Sequence, residues 1–301
     1  MNTEKDFYYI IADFFISIKQ VNTLIDVEML LPSFKGFSAG QDGGSDSDNL
    51  FRLSVDDKLG VVPQSSRKRI RTFDTGNGLT TVDSITSGGY QFIIHDIYKR
   101  ECCLLVANAD FSELKCALNG DYFMRSFGLN NALMLSFAFA ASSHGAVLLH
   151  ASVVRQNGWA YAFTAPSGTG KSTQTGLWVR FLDGCDLIND DSPVVRVIDD
   201  DVYIYGGPWS GKTPCYRRVR SRLAAITKIS RAKENSVDKM SVVEAFATFV
   251  SATSSMRWDN GIFDNICDTA EKIIKRISFY VLHCLPDKES AEICNRMIRK
   301  S

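Results

Sequence analysis

The sequence is short of the residues that build metal clusters and redox pairs. It holds four histidines, and its eight cysteines, at 102, 103, 116, 185, 215, 267, 284 and 294, include no Cys-x-x-Cys pair. No histidine stands at zinc-finger spacing from two of them, which argues against a structural metal. Cysteines scattered in this way are expected as reduced, mostly buried thiols. Net charge is missing too. The 34 basic residues balance 34 acidic ones, so no polyanion-binding surface and no nucleic-acid partner is expected. The densest basic run, Arg67-Lys68-Arg69-Ile70-Arg71, reads as a solvated loop. No apolar run is long enough to span a bilayer. The most apolar stretch, Ala132 to Ala141, is interrupted by Ser136 and reads as a buried helix. The opening residues Met1 to Asp6 lack the positive n-region and apolar h-region of a signal peptide. The expectation is a cytoplasmic protein with no membrane partner.

What is present falls into two textures. Up to about residue 118, short apolar runs rich in β-branched and aromatic residues are separated by turn residues. Tyr8–Ile18, Phe51–Val55, Tyr90–His95 and Cys103–Val106 read as strands, and the Gly-, Asp- and Ser-rich stretch from Ser38 to Asn49 reads as a loop. Asp121 to Ser143 reads as a helix or two short ones, with Asn130 or Asn131 as a cap. Ala146–Val154 and Trp159–Thr164 read as strands joined by a tight Asn157-Gly158 turn. A helix over Thr173–Leu182 and a strand over Asp186–Asn189 follow, then a hairpin around Asp199-Asp200-Asp201. Helical patterns recur near Val237–Ala252, Phe263–Arg276 and Lys288–Arg299, with a strand at Phe279–His283. The expected fold class is α/β (α+β): a mostly β module over residues 1–120, then a nucleotide-binding domain over 121–301 entered through a linking helix at 121–143.

The chemistry concentrates in Ala165-Pro166-Ser167-Gly168-Thr169-Gly170-Lys171-Ser172. This is a Walker A pattern with Ala165 in place of the first glycine, set between a strand and a helix. Gly168 and Gly170 let the backbone turn its amides inward around a phosphate, with Ser167, Thr169 and Thr173 completing the loop and helix start. The helix directs its positive end at the same phosphate. Lys171 is placed to reach the β- and γ-phosphates, and Ser172 to offer its hydroxyl to magnesium. The cofactors expected are ATP or another nucleoside triphosphate, with Mg2+.

Two carboxylates, Asp190 and Asp191, end the next strand, the edge where ligands bind in such sheets. Adjacent carboxylates repel, so a cation beside them is expected. The triplet Asp199 to Asp201 reads as a solvated turn. His150 lies in the strand before the loop; His95, His144 and His283 read as structural. A second glycine-rich segment, Gly206-Gly207-Pro208-Trp209-Ser210-Gly211-Lys212, has two readings. It either closes over the transferred phosphate with the Ser210 and Gly211 amides and Lys212 as donors, or forms a tight turn with Trp209 buried and Lys212 solvated.

The order of His150, hairpin, Ser167-Gly168-Thr169-Gly170-Lys171-Ser172, helix and Asp190-Asp191 resembles the bacterial HPr kinase/phosphorylase catalytic domain, itself similar to the phosphoenolpyruvate carboxykinase core. The resemblance covers roughly residues 145–215. It implies a P-loop kinase domain in which His150 supports the base while Asp190 and Asp191 share base and metal duties. Two features depart from that family. Thr173 stands where it usually has Glu, and Tyr205 to Thr213 stands in place of its downstream glycine-rich signature. The closer resemblance is therefore to HPr-kinase-like proteins of unassigned substrate, some of which act on peptides or small molecules. The implied activity is transfer of the ATP γ-phosphate to a hydroxyl, serine first, on an unidentified protein, peptide or small molecule. A simple NTPase, a non-catalytic ATP-binding sensor and a phosphoenolpyruvate carboxykinase are the rivals. Oligomeric state is left open, a homo-oligomer included.

Overall fold

The structure, a computed structural model, describes residues 4–23, 25–40, 49–74 and 78–300. Most of the loop expected between Ser38 and Asn49 lies outside the described residues. The chain divides into two compact units, Met1–Ala141 and Ser142–Ser301.

The first unit is an eight-stranded mixed sheet with one long helix. Its strands are β1 (Lys5–Ile11), β2 (Phe14–Asn22), β3 (Asn49–Asp56), β4 (Arg67–Asp74), β5 (Leu79–Ile85), β6 (Tyr90–His95), β7 (Glu101–Ala107) and β8 (Glu113–Leu118). They run in the order β1-β2-β3-β8-β7-β6-β5-β4, with β2–β3 and β3–β8 parallel and the other pairs antiparallel. Alternation sets the buried face: in β3, Phe51, Leu53 and Val55 are buried and the residues between them are less so. Across β3, β6, β7 and β8 lies α1 (Tyr122–Ala140), a single helix capped by Asp121, whose carboxylate accepts from the Met124 amide at 3.0 Å. Leu129, Leu133 and Phe137 on α1 are fully buried. The helix thus packs within the first unit, beyond the boundary expected at residue 120. Tyr8–Ile18, expected as one strand, is a hairpin turning at Ala12 and Asp13, both at positive φ. The basic run expected as a loop is β4, an edge strand. Two of its arginines, Arg67 and Arg69, bond the carboxylate of Asp83, which is fully buried and also accepts from Gln91 at 3.1 Å. Lys68 and Arg71 of β4 are exposed, where positive charge discourages pairing with another chain.

The second unit is built on a nine-stranded mixed sheet: β9 (Ala146–Leu148), β10 (Ala151–Gln156), β11 (Trp159–Thr164), β12 (Cys185–Asp191), β13 (Val194–Ile198), β14 (Asp201–Tyr205), β15 (Arg220–Arg231), β16 (Ser236–Lys239) and β17 (Ser278–Cys284). The main path is β12-β10-β11-β15-β14-β13-β9, and β15 also carries β17, which pairs with β16. Pairing of β11 with β15 and of β15 with β17 is parallel; the remaining pairs are antiparallel. Four helices follow the chain: α2 (Lys171–Phe181), α3 (Val242–Ala252), α4 (Asn260–Ile274) and α5 (Lys288–Ile298). Trp178 of α2 is fully buried, its ring 5.1 Å from that of Tyr161 and 5.4 Å from that of Phe163. This cluster fixes α2 to the sheet and extends to Ala291 and Cys294 of α5.

The expected α/β class, with a P-loop domain following a β module, is overturned. Strands hold 41% of residues against 29% in helices, so the structure is mostly β, and each of the two sheets is mixed. Hairpins are the physical reason. Direct links such as Asn157-Gly158 and Asp199-Asp200 reverse the chain without a crossover helix and force antiparallel pairing. The twelve-residue β15, beginning in the Arg-rich segment after the second glycine loop, escaped the sequence reading altogether. So did β16, which had been folded into an expected helix beginning at Val237. Among the described residues, no helix is long and apolar enough to cross a membrane.

Candidate functional site

The glycine-rich segment that the sequence reads as a phosphate loop begins where β11 ends at Thr164 and closes where α2 starts at Lys171. Gly168 and Gly170 have φ of 75° and 131°, and no atom lies within 4 Å of where a Cβ would stand on either. They therefore line open space, in backbone conformations that favour glycine. Gly170 caps α2 with no side-chain hydrogen bond. Within the loop the Thr169 amide donates to Pro166 O at 3.2 Å, while the amides of Gly170, Lys171 and Ser172 have no acceptor among the described residues. Orphan amides at a helix N-terminus are groups that can hold an anion.

Lys171 is buried, only 8% exposed. Its ammonium Nζ lies 2.9 Å from His150 Nε2 and donates to Ala165 O at 3.1 Å. Burial lowers its pKa, and the charges of Asp191 and Asp190 act against that drop. His150 Nε2 is in turn 3.4 Å from Asp191 Oδ1. Asp191 is the C-terminal residue of β12, and its Oδ2 accepts from the Ser192 hydroxyl at 2.9 Å. Burial pushes its carboxyl up, but the bond and charge of His150, the Ser192 hydroxyl and the charge of Lys171 outweigh this and hold it below the usual carboxylate range. Lysine and carboxylate thus meet the imidazole at one atom, Nε2, and half-exposed His150 and Asp191 open the group to solvent.

His150 arrives there differently from the expectation. The run Ala146–Val154 is two strands rather than one: β9 ends the sheet path beside β13, whereas β10 lies between β12 and β11. His150 occupies the break between them, its amide donating to Ala252 O at 2.7 Å and its carbonyl accepting from Thr164 Oγ1 at 3.1 Å. A break frees the side chain from the alternation of a strand, so it can face Lys171.

Asp190 is almost fully buried and pairs across the ladder with Ser152, whose hydroxyl lies 2.8 Å from Thr175 of α2. Asp190 Oδ2 accepts from the Thr213 amide at 3.3 Å. The second glycine segment is pinned to the same strand end. The Gly211 amide donates to Asp190 O at 2.5 Å, and Ser210 bridges Asp191. A Cβ on Gly211 would come within 2.6 Å of Asp190 O, so only glycine allows this approach. Trp209 is buried, and Ser210 Oγ donates to Thr213 O at 2.7 Å. The Gly211 amide expected to meet phosphate is therefore committed to β12, whereas the Lys212 side chain is exposed and unpaired among the described residues. Arg217 bonds Asp186 and Leu187 O, a structural use.

Among the described residues no group of three or more His, Cys, Asp or Glu is arranged to hold a metal. Mg2+ commonly takes one or two carboxylates and completes its shell with substrate phosphates and water. Ser172, Asp190 and Asp191 are hard oxygen donors of that kind.

Three residues escaped the sequence reading. Asn189, fully buried, accepts the Asp191 and Ser192 amides on Oδ1 at 3.1 and 3.0 Å, and its Nδ2 donates to Trp209 O at 2.9 Å. It ties the acidic pair to the glycine segment, and an amide side chain inside the apolar run Leu187-Ile188 was its signal. Ser192 sits on the Asp191 carboxylate. Arg231, at the end of β15, donates to Thr169 O at 3.2 Å and to Gly168 O. No local pattern marked it.

Comparison with protein-family models and with curated proteins found no match for this chain.

Proposed function

We propose that the second unit is an ATP- and magnesium-dependent kinase that transfers the γ-phosphate to a hydroxyl, serine first, on a protein, peptide or small molecule. The observation that carries this reading is the cluster of Lys171 and Asp191 on His150 Nε2, beside the uncapped N-terminus of α2. Binding a phosphate calls for the amides and the lysine alone. A carboxylate kept ionised beside them is what an alcohol acceptor needs for its proton. The motif order that resembles HPr-kinase-like proteins supports the same reading.

In this scheme the amides of Gly170, Lys171 and Ser172 bind the β-phosphate, and Lys171 leaves His150 and Ala165 O to reach the β- and γ-phosphates. Mg2+, held by Ser172, Asp190 and Asp191 with phosphate oxygens, would neutralise phosphate charge. The acceptor hydroxyl takes the position that the Ser192 hydroxyl holds on Asp191 Oδ2. As the acceptor oxygen bonds to the γ-phosphorus, Asp191 receives its proton and the bond to the β–γ bridging oxygen breaks. A carboxylate of low pKa suffices, because in a loose transition state the proton moves late and positioning does most of the work. With Lys171 moved to the phosphates, His150 Nε2 is free to donate to Asp191 Oδ1 and fix the carboxylate.

The test is phosphate transfer from γ-labelled ATP with Mg2+, wild type beside Asp191→Asn, against protein fractions and low-molecular-weight extract. Label entering an acceptor with wild type alone supports a kinase. Free phosphate with no labelled acceptor would assign a simple NTPase. Tight ATP binding without turnover would replace the kinase by a nucleotide-sensing protein.

A further inference from the structure

We propose that Arg231 is a positioning residue that holds the phosphate loop in its binding shape from the outside. The inference rests on the nucleotide reading above and concerns a residue far from the motif in sequence. β15 runs parallel to β11 with Thr164 opposite Lys228, so the end of β15 stands beside the start of the loop. From there the guanidinium reaches the carbonyls of two successive residues, Gly168 and Thr169, with Nε donating to Thr169 O at 3.2 Å and a terminal nitrogen to Gly168 O.

Peptide planarity turns this contact into a statement about the binding face. The C=O and N–H of one trans peptide point in opposite directions. Holding Thr169 O toward Arg231 therefore aims the Gly170 amide away from it, and that amide has no acceptor among the described residues. Glycines at 168 and 170 supply the backbone freedom that the loop needs, and the same freedom lets it collapse or flip in the absence of a ligand. The planar fork of an arginine matches two neighbouring carbonyls, and a lysine ammonium on a flexible stem does not. A preorganised loop binds more tightly because the ordering cost is met before the ligand arrives. Arg231 is exposed and already engaged with the carbonyls, so its role runs through the loop rather than through direct contact with the transferred phosphate.

The experiment compares wild type, Arg231→Ala and Arg231→Lys in the full chain, with two readouts. The first is the set of 15N order parameters of the Gly168, Thr169 and Gly170 amides in nucleotide-free protein. The second is the Kd for MgATP by calorimetry, with kcat and KM once an acceptor is known. Arg231→Ala is expected to lower the order parameters of these amides and to weaken MgATP about tenfold, with kcat at saturating ATP nearly unchanged. Arg231→Lys should recover only part of both. Order parameters unchanged in Arg231→Ala overturn the proposal. Full recovery by Arg231→Lys overturns it as well, since charge alone would then be sufficient. If wild type binds no nucleotide while Arg231→Ala still loosens the loop, the nucleotide reading fails and the positioning role stands.

Discussion

Replacing Lys171 by methionine separates a binding role from a structural one, because affinity and melting temperature respond differently in the two cases. The ammonium is buried, and its resting bonds are to His150 Nε2 at 2.9 Å and Ala165 O at 3.1 Å. Losing those two bonds costs roughly 1 kcal/mol each. Relief of ammonium burial, the main cause of the lowered Lys171 pKa, acts in the other direction by an amount of the same order. Methionine keeps the length and apolar bulk of the stem, so no cavity opens. Net stability should stay within about 1 kcal/mol of wild type, a change in Tm of roughly 2–4 °C or less for a unit of this size. Nucleotide binding loses charge-assisted bonds to phosphate oxygens, about 3 kcal/mol, or on the order of 100-fold in Kd. Circular-dichroism melts of the ligand-free protein and calorimetry with MgATP measure the two quantities separately. A Kd within about twofold of wild type, at unchanged Tm, refutes the phosphate role. A Tm lower by far more than this window, with binding lost alongside, would make Lys171 a structural cation.

Further outcomes follow from the same geometry. Asp191→Asn should reduce turnover at saturating MgATP by about 10²–10⁴ in single-turnover kinetics, with the loss of its share in holding Mg2+ read separately by calorimetry. Gly211→Ala places a Cβ 2.6 Å from Asp190 O, so it should lower turnover by displacing the acidic strand end while the loop still binds ATP. In the first unit, burial pushes the Asp83 carboxyl up, but the bonds and charges of Arg69 and Arg67 outweigh it and leave its pKa depressed. A depressed folded-state pKa adds stability above the unfolded value near 3.9, and that stability is lost as pH falls through and below it. Asp83→Asn should therefore destabilise the protein by roughly 2–4 kcal/mol at neutral pH, with the gap closing in acid, as followed by urea unfolding at several pH values. Trp178→Ala should cost about 3–5 kcal/mol by emptying the cluster it shares with Tyr161 and Phe163, seen as a lower urea midpoint for the second unit.

Local elements were largely legible in the sequence and their assembly was not. β11, α2, β12, β13, β14, β17 and α5 were expected within a few residues of where they lie, because each carries its own periodicity or cap. β15 was invisible for a physical reason: Arg220, Arg222, Lys228 and Arg231 break its apolar run, and the strand is specified by three neighbours rather than by alternation. His150 was read inside a strand since Leu148 and Leu149 continue the apolar run up to it. The break there is set by partners far along the chain, Pro193 O for the Leu149 amide and Ala252 O for His150. Of the candidate site, residues within one motif were readable. Asn189, Ser192 and Arg231 act through contacts that only the tertiary structure creates.

The fold class fails while the strand and helix flanking the glycine segment lie close to where the sequence puts them, and the two outcomes have a common cause. A phosphate cradle needs three things in succession: a strand to aim the chain, glycines to turn the amides inward, and a helix whose first amides are unpaired. All three lie within residues 159–181, and the packing of Trp178 on Tyr161 and Phe163 fixes the helix to the strand locally. None of them depends on whether the rest of the sheet is parallel or mixed. The acidic strand end is less local, because β12 must return beside β10 to bring Asp191 toward His150. Here the antiparallel hairpin of β10 and β11 does what a crossover would do in a parallel sheet. It sends the chain out and back, so that the start of β10, the end of β11 and the end of β12 meet at one edge. The physical requirement was for three chain ends at one place, and strand direction was only one of the ways to meet it.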